Sequence, residues 1–550
     1  MGIYKKYILF AIILLAFFLR FYRLGSFPAL NADEAAIGYN AYSLVQTGHD
    51  EHGNAWPIHF QSFNDYKPGV YFYMVLPFVK VLGLNEWAVR IPGAGLGVLT
   101  VVILHFLVRD LFKDKNISIN ADHIALAASL LLAISPWHLH FSRGGWEVNA
   151  ATFFITLGLW LFVKGLSSPK YLIFSTLSFV LSLYAYHAAR VVVPLLIVGL
   201  LFMYRDKIKP NIKKFAISGM VAIFLLLPLG FDLARGEVFS RAAGVGLFAD
   251  PGPLSRINEQ RGEHQNYGSF AAKVLHNKPV NYSLAFLQNW SQHYWGEFLF
   301  LTGDVIQRNR VPETGQMYLF DILFLAVGFI LIARKPSREW GVVIWWLVVA
   351  PFAAALTFQA PHALRAQNMV IPLTIISAFG FVSVVGWLKN SVKGKNLRIV
   401  GFLLLSAVMV WNFTRYIHQY WLHMAKEFPF SSQYGVKELV GFIGQNQDKF
   451  DKVIVTDRYD QPYILFLFYL KVPPEKFQND HFLSERDKYG FSTVRNFGKY
   501  EFRAINFDVD QPQNPKSLIV GTDEEIPKEA NIVEEIYGTN GYKYFEVVAN

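Results

Sequence analysis

The chain has 550 residues, is 53% hydrophobic and carries 49 Phe, 27 Tyr and 13 Trp; its repeated apolar runs approach the length of a bilayer-spanning helix, which excludes an ordinary water-soluble globule. A net charge of +10 would suit nucleic acid, but Lys and Arg fall in short segments between apolar runs, which is a topology signal. With no cysteine, disulfide and thiol chemistry are excluded.

The first apolar run, Tyr7 to Leu24, follows Lys5-Lys6 and ends in Arg20 and Arg23 without a small-residue cleavage site, so it reads as a retained helix and not a signal peptide. Val70 to Gly83 is strongly apolar but broken by Pro77, which predicts an interfacial or re-entrant segment. Runs of spanning length lie at about 7–24, 91–112, 123–141, 148–166, 170–188, 190–204, 213–231, 317–334, 339–358, 366–388 and 398–415. The count is eleven. If Val70–Gly83 does not span and the N-terminus is inside, then Lys113/Lys115, Lys164/Lys170, Arg205 to Lys214, Arg334/Lys335/Arg338 and Lys389 to Arg398 all fall in the cytoplasm. The outer face then receives a first loop of about 25–90, a long loop of about 232–316 and a tail of about 416–550. That tail has α/β texture, with Gly435 to Gln445 helix-like and Lys452 to Thr456, Ser517 to Gly521 and Tyr542 to Val548 strand-like. The predicted architecture is a mainly α polytopic membrane module over 1–415, followed by an extracytoplasmic α/β domain over 416–550.

Chemistry concentrates in the outer segments. Asp33 and Glu34 form an acid pair just past the first helix, where two carboxylates are costly without a task. A partly desolvated carboxylate there can take the proton of an attacking hydroxyl, and Asp33 is the better candidate; Glu34 also suits an N-terminal cap on an interfacial helix over Ala35–Leu44. His49-Asp50-Glu51-His52 lacks metal-motif spacing and reads as a solvated polar turn. Asp65-Tyr66-Lys67-Pro68-Gly69 sets a cation at a rigid turn, where Lys67 suits a lipid phosphate as well as it suits an ordinary snorkelling lysine. In Ser135 to Glu147 a short turn holds His138, His140, Arg143 and Glu147; Glu147 could orient an acceptor, help hold a divalent ion or simply pair with Arg143. His187, Arg190, His362 and Arg365 lie at other outer turns. Positive-inside bias should empty those turns of arginine, so Arg143, Arg190 and Arg365 together suggest an anionic ligand, with lipid headgroups the competing account.

Leu19-Arg20-Phe21-Tyr22-Arg23-Leu24-Gly25, then Pro28, then Asp33-Glu34-Ala35, resembles the opening of GT-C membrane glycosyltransferases, in particular the protein O-mannosyltransferase (family 39) and aminoarabinose transferase group. Tyr66-Lys67-Pro68-Gly69 followed by Glu86-Trp87-Ala88-Val89-Arg90-Ile91-Pro92 is similar to their first-loop closure, with Gly69 where a second Pro is usual. Ser135-Pro136 through Arg143 to Glu147 resembles their second loop, where many members carry Asp. Phe298 to Asp304 with Arg308, and Pro361-His362 through Arg365 to Pro372, are similar to segments of bacterial relatives.

The resemblance covers roughly 15–375 and implies transfer of a sugar, mannose or a similar hexose or pentose, from a polyprenyl-phosphate carrier. The acceptor would be a hydroxyl of a protein or glycolipid on the outer face, with inversion at the anomeric carbon. It implies Asp33, Glu34 and Glu147 as catalytic residues and Tyr66, Lys67, His138, Arg143, His187, Arg190, Asp304, His362 and Arg365 as ligands of phosphate or sugar. No cofactor is required, and a divalent cation near Asp33 and Glu147 stays open. Two other readings stand beside this one: an oligosaccharide transferase or polymerase with a lipid-diphosphate donor, and a transporter or flippase, against which the one-sided clustering of charge counts.

Overall fold

The long runs of Leu, Ile, Val, Phe and Ala form helix in the computed structural model, which describes residues 3–63, 65–113, 120–234, 244–431, 433–485 and 492–550. Lys115 of the charge series and 235–243 of the long loop lie outside these residues. The chain opens with α1 (Ile3–Phe21), α2 (Ala32–Thr47), a hairpin of β1 (His59–Ser62) and β2 (Asp65–Pro68), α3 (Val70–Leu82) and α4 (Glu86–Phe112). Next come α5 (Ala121–Ile134), α6 (Pro136–Ser142), α7 (Glu147–Gly165), α8 (Lys170–Ala185) and α9 (Ala189–Met203).

Among the described residues six helices are long and apolar enough to cross a membrane, or seven if α5 and α6, bent by 57°, count as one span. Two of the six, Arg205–Ala234 and Lys395–Glu427, are only 11% and 6% buried over their most apolar stretches, an exposure that lipid tolerates and water does not. α3, at 13 residues, is about 20 Å long and falls short of a hydrocarbon core of about 30 Å.

Contacts divide the chain into two compact units. The first comprises Met1–Arg20, Ala94–Ser142 and Glu147–Ile417. Glycines let its helices approach closely: Phe179 lies against Gly158 between α7 and α8, and a Cβ on Gly380 would overlap the Phe324 carbonyl of the facing helix Phe320–Arg334. Where α5 breaks into α6, the buried Arg20 guanidinium donates to the carbonyls of Leu132 (3.3 Å) and Ala133 (3.0 Å). The long loop carries helices Gly252–Gly262, Phe270–Leu275 and Lys278–Gln292.

The second unit gathers Phe21–Gly93, Arg143–Trp146 and His418–Asn550; tail and first loop therefore form one compact unit, where the sequence suggested a tail folded by itself. Its seven-stranded sheet runs β4 (His481–Leu483), β5 (Val494–Phe497), β6 (Tyr500–Phe502), β3 (Lys452–Val455), β7 (Ser517–Gly521), β9 (Lys543–Ala549), β8 (Ile532–Tyr537) in spatial order. β3 is parallel to both β6 and β7, and the other pairs are antiparallel. Val453, Ile454 and Val455 are buried, as the apolar run predicts for a central strand. Seven of the nine residues of helix Pro462–Leu470 are buried, and Phe468 reaches Gly38 of α2 so closely that a Cβ there would collide with its ring.

α2 departs from expectation in two ways: it begins at Ala32, three residues early, and eleven of its sixteen residues are buried. Asn31 accepts from Glu34 N at 3.1 Å and completes a capping box with the Glu34 side chain, which fixes the earlier start.

Candidate active site

Asp33 and Glu34 are neighbours in the first turn of α2, and successive helical residues point about 100° apart, so the pair is split between two environments. Asp33 remains 24% exposed and accepts from Lys67 Nζ at 2.5 Å. Glu34 turns inward and is 1% exposed. Its Oε1 accepts from Arg90 Nε (2.7 Å) and Gly145 N (2.8 Å); its Oε2 accepts from Arg90 Nη2 (2.7 Å) and, more weakly, from Asn31 Nδ2 (3.3 Å) and Asn31 N (3.4 Å). Those donors fill about four lone-pair sites of a carboxylate. Arg90 in turn donates to the carbonyls of Leu24, Pro28 and Ala29 at 2.8–3.1 Å, clamping the chain that leads into α2. A cavity of about 220 Å³ opens beside those carbonyls, lined by Pro28, Ala29, Glu86, Tyr434, Lys437 and Tyr469 among others.

Lys67 is aimed by the hairpin. Register pairs Phe60 with Lys67 and Ser62 with Asp65, so Lys67 shares a face with buried Phe60 and Ser62. Phe60 stacks on Phe72 with centroids 4.2 Å apart, and the Lys67 ammonium lies 4.8 Å from the Phe63 ring centroid. Tyr66 falls on the other face, opposite Gln61.

His49 to His52 is not a solvated turn. Asp50 accepts from His52 N (2.9 Å), Asn54 N (2.8 Å) and Asn54 Nδ2 (2.9 Å), which closes the turn around a buried carboxylate, and Glu51 is fully buried. Burial raises the Asp50 carboxyl, with those hydrogen bonds opposing it, and drives the His52 imidazole down to about 3, helped by nearby His481.

Arg143, 2% exposed, donates from Nε to Tyr420 Oη (3.0 Å) and from Nη2 to the carbonyls of Tyr22 (2.8 Å) and Phe27 (3.3 Å), with its guanidinium 4.8 Å from the Trp421 ring. These contacts tie Arg143 to the loop around Tyr22 and Phe27.

The remaining predicted residues belong to the first unit. Glu147 opens α7 and is buried. The His138 ring, fully buried, meets Arg20 Nη2 at 2.7 Å, so it faces the interior and not an open ligand site. His140 Nε2 lies 2.8 Å from the Arg308 carbonyl. Asp304 accepts from Ala363 N (2.6 Å), Ile306 N (2.8 Å) and Asn309 Nδ2 (3.0 Å), with His362 Nδ1 at 3.6 Å, and so joins 304–309 to 361–365. Burial raises its carboxyl and lowers the neighbouring His293 to about 4. His187 meets Arg190 Nη1 at 3.0 Å, and Arg365 donates to Thr357 Oγ1 at 2.8 Å. Among the described residues no group of three or more His, Asp or Glu is placed to hold a metal ion.

Sequence reasoning missed Arg90 and Glu51. Arg90 had a signal: an arginine inside an apolar run, near the end where positive-inside bias disfavours it. Glu51 had none, since its burial depends on residues far along the chain.

Residues 66–230 match the family model described as dolichyl-phosphate-mannose-protein mannosyltransferase. An uncharacterized protein of Aquifex aeolicus is 28% identical over 170 residues, 31% of this chain and 32% of that protein; the chain thus matches about a third of that relative's length. Among solved structures, ArnT of Cupriavidus metallidurans bound to undecaprenyl phosphate superposes with a TM-score of 0.55 at 11% identity, covering 100% of this chain and 98% of that one. The archaeal oligosaccharyltransferase AglB of Archaeoglobus fulgidus, in complex with an inhibitory peptide and a dolichol-phosphate, gives 0.50 at 13% identity, covering 85% of this chain and 64% of that protein. The chain has the GT-C fold of multi-pass membrane glycosyltransferases.

Proposed function

We propose that this GT-C chain transfers a sugar, mannose or a similar hexose or pentose, from a polyprenyl-phosphate carrier to a hydroxyl of a protein or glycolipid. The observation that carries the reading is the ion pair of Asp33 and Lys67, 2.5 Å apart and held by a capped helix and a buried hairpin. One group suits a proton acceptor and the other a phosphate ligand, and the matched family and the ArnT and AglB structures are described with carriers of that class. In this scheme the eleven apolar runs read from the sequence cross the membrane, and the first loop and the tail lie on the extracytoplasmic face.

The acceptor oxygen attacks the anomeric carbon from the side opposite the phosphate, the carbon–oxygen bond to phosphate breaks with its electron pair leaving on the phosphate, and configuration inverts. Asp33 receives the hydroxyl proton as the new bond forms, while Lys67 stabilises the charge growing on the departing phosphate. Glu34 has a structural part, because its lone pairs already serve Arg90, Gly145 and Asn31. No step runs through a metal ion.

Asp33→Asn keeps the shape and removes the base. Transfer from an undecaprenyl-phosphate sugar falls by about 10²-fold or more, while binding of the carrier persists; near-normal transfer by this variant would refute the assignment. Lys67→Met instead weakens carrier binding.

A further inference from the structure

The reaction above leaves unused a second carboxylate near Lys67. Glu51 is fully buried, anchored through its backbone N–H to Asn40 Oδ1 at 2.9 Å. Neither carboxylate oxygen makes a well-formed hydrogen bond, although Asn40 and Ser62 lie near enough to favour its charged form. A carboxylate stripped of water and of well-formed hydrogen bonds is far costlier ionised than neutral. Burial pushes the Glu51 carboxyl up to about 8; Asn40 opposes this, Asp50 adds to it, and Lys67 and Ser62 oppose it.

The titratable groups facing Glu51 are Tyr39 on α2, Asp50 and His52 in its own turn, Lys67 on β2 and Tyr463 on the helix Pro462–Leu470. Burial keeps both tyrosines neutral by raising their hydroxyls, and it keeps His52, whose Nε2 lies 3.8 Å from Oε1, neutral by lowering its ring. Lys67 is therefore the cation of the group. Ionising Glu51 adds a carboxylate that competes with Asp33 for the Lys67 ammonium, in surroundings that already hold Asp50 and, on the Lys67 face of β2, Asp65, so an arriving phosphate meets a more negative site.

We propose that Glu51 is a positioning residue for Lys67: held uncharged at neutral pH, it leaves the ammonium to Asp33 and the carrier phosphate, and on losing its proton it draws the ammonium away from both. The phosphate part rests on the function proposed above; the charge balance does not.

The test measures binding of undecaprenyl methyl phosphate, a diester with a single charge throughout, to the full chain in detergent at pH 7 and pH 9. Wild-type affinity falls about tenfold across that interval, one pKa unit of coupling being a factor of ten. The fall is absent in Glu51→Gln and retained in Glu51→Asp, which still titrates. An equal fall in Glu51→Gln, or none in the wild type, would overturn the proposal. If the wild type does not bind the probe at pH 7, the assignment of Lys67 to phosphate fails, and reductive methylation of Lys67 read by mass spectrometry decides the remainder. At pH 9 Lys67 is modified several-fold faster in Glu51→Gln than in the wild type, where the ionised Glu51 keeps the ammonium protonated; equal rates reject the charge balance as well.

Discussion

Replacing Glu34 by Ala tests the structural part assigned to it. The Arg90 guanidinium, 0% exposed, would keep the carbonyls of Leu24, Pro28 and Ala29 but lose its only counter-charge among the described residues. Breaking a buried pair by removing one partner costs about 3–5 kcal/mol. Gly145 N and Asn31 N lose an acceptor in the same step, and that loss overlaps the first, so we expect a total of about 4 kcal/mol. Lys437→Ala provides the contrast: it breaks the Lys437–Glu86 pair at 2.6 Å, but with Lys437 58% exposed the cost is about 0–1 kcal/mol. The assay is chemical denaturation in detergent micelles for each single variant and for Glu34→Ala combined with Arg90→Met. The double variant removes the stranded charge, so its loss falls short of the sum of the two single losses by about 2 kcal/mol. If Glu34→Ala destabilises no more than Lys437→Ala, or if the double variant is additive, the buried pair does not organise this loop.

Glu51 also gives a signed pH dependence. Its folded value of about 8 stands above the ordinary 4.5, so the folded state holds a proton that the unfolded state has released. That group's stabilisation is complete below about 4.5 and declines by up to about 1.4 kcal/mol per pH unit until the folded value is passed near 8. Melting midpoints from pH 5 to 9 therefore fall less steeply in Glu51→Gln than in the wild type, and parallel curves would contradict the buried neutral carboxyl. In the first unit, Gly380→Ala forces a Cβ into the Phe324 carbonyl and lowers stability by about 1–3 kcal/mol or more; Gly386→Ala on the same helix, where a Cβ meets nothing, does not, and equal melting of the two variants would count against that packing. Asp304→Asn weakens the link to Ala363 N and Ile306 N and speeds proteolysis within 304–309 and 361–365, whereas unchanged cleavage kinetics would show that the anchor is dispensable.

What could be read in advance was local. The strands at Lys452 and Ser517 announce themselves as short β-branched runs, and they lie where the pattern puts them. Lys67 could be placed at a turn because Pro68-Gly69 ends the segment, and the structure adds the hairpin that aims it. Arg90 as the partner of Glu34 lies 56 residues away, beyond any periodic signal. The polar stretch from His49 to His52 looks solvated because charge usually is; here α2, β2 and the helix Pro462–Leu470 bring Tyr39, Lys67 and Tyr463 against it. Domain grouping was hidden for the same reason, since the contacts that join the first loop to the tail span some four hundred residues, as when Gln433 Oε1 accepts from Ala32 N at 2.6 Å.

The break between α5 and α6 has a bearing on how the chain is assembled. A helix interrupted in lipid needs outside donors for its freed carbonyls, and here they come from Arg20 at the end of α1. During synthesis α1 is complete about a hundred residues before α5 begins, so the donor has already been made when the break forms. The arginine that ends the first helix thus also serves a later one, and moving it elsewhere along α1 would leave the Leu132 and Ala133 carbonyls without these donors.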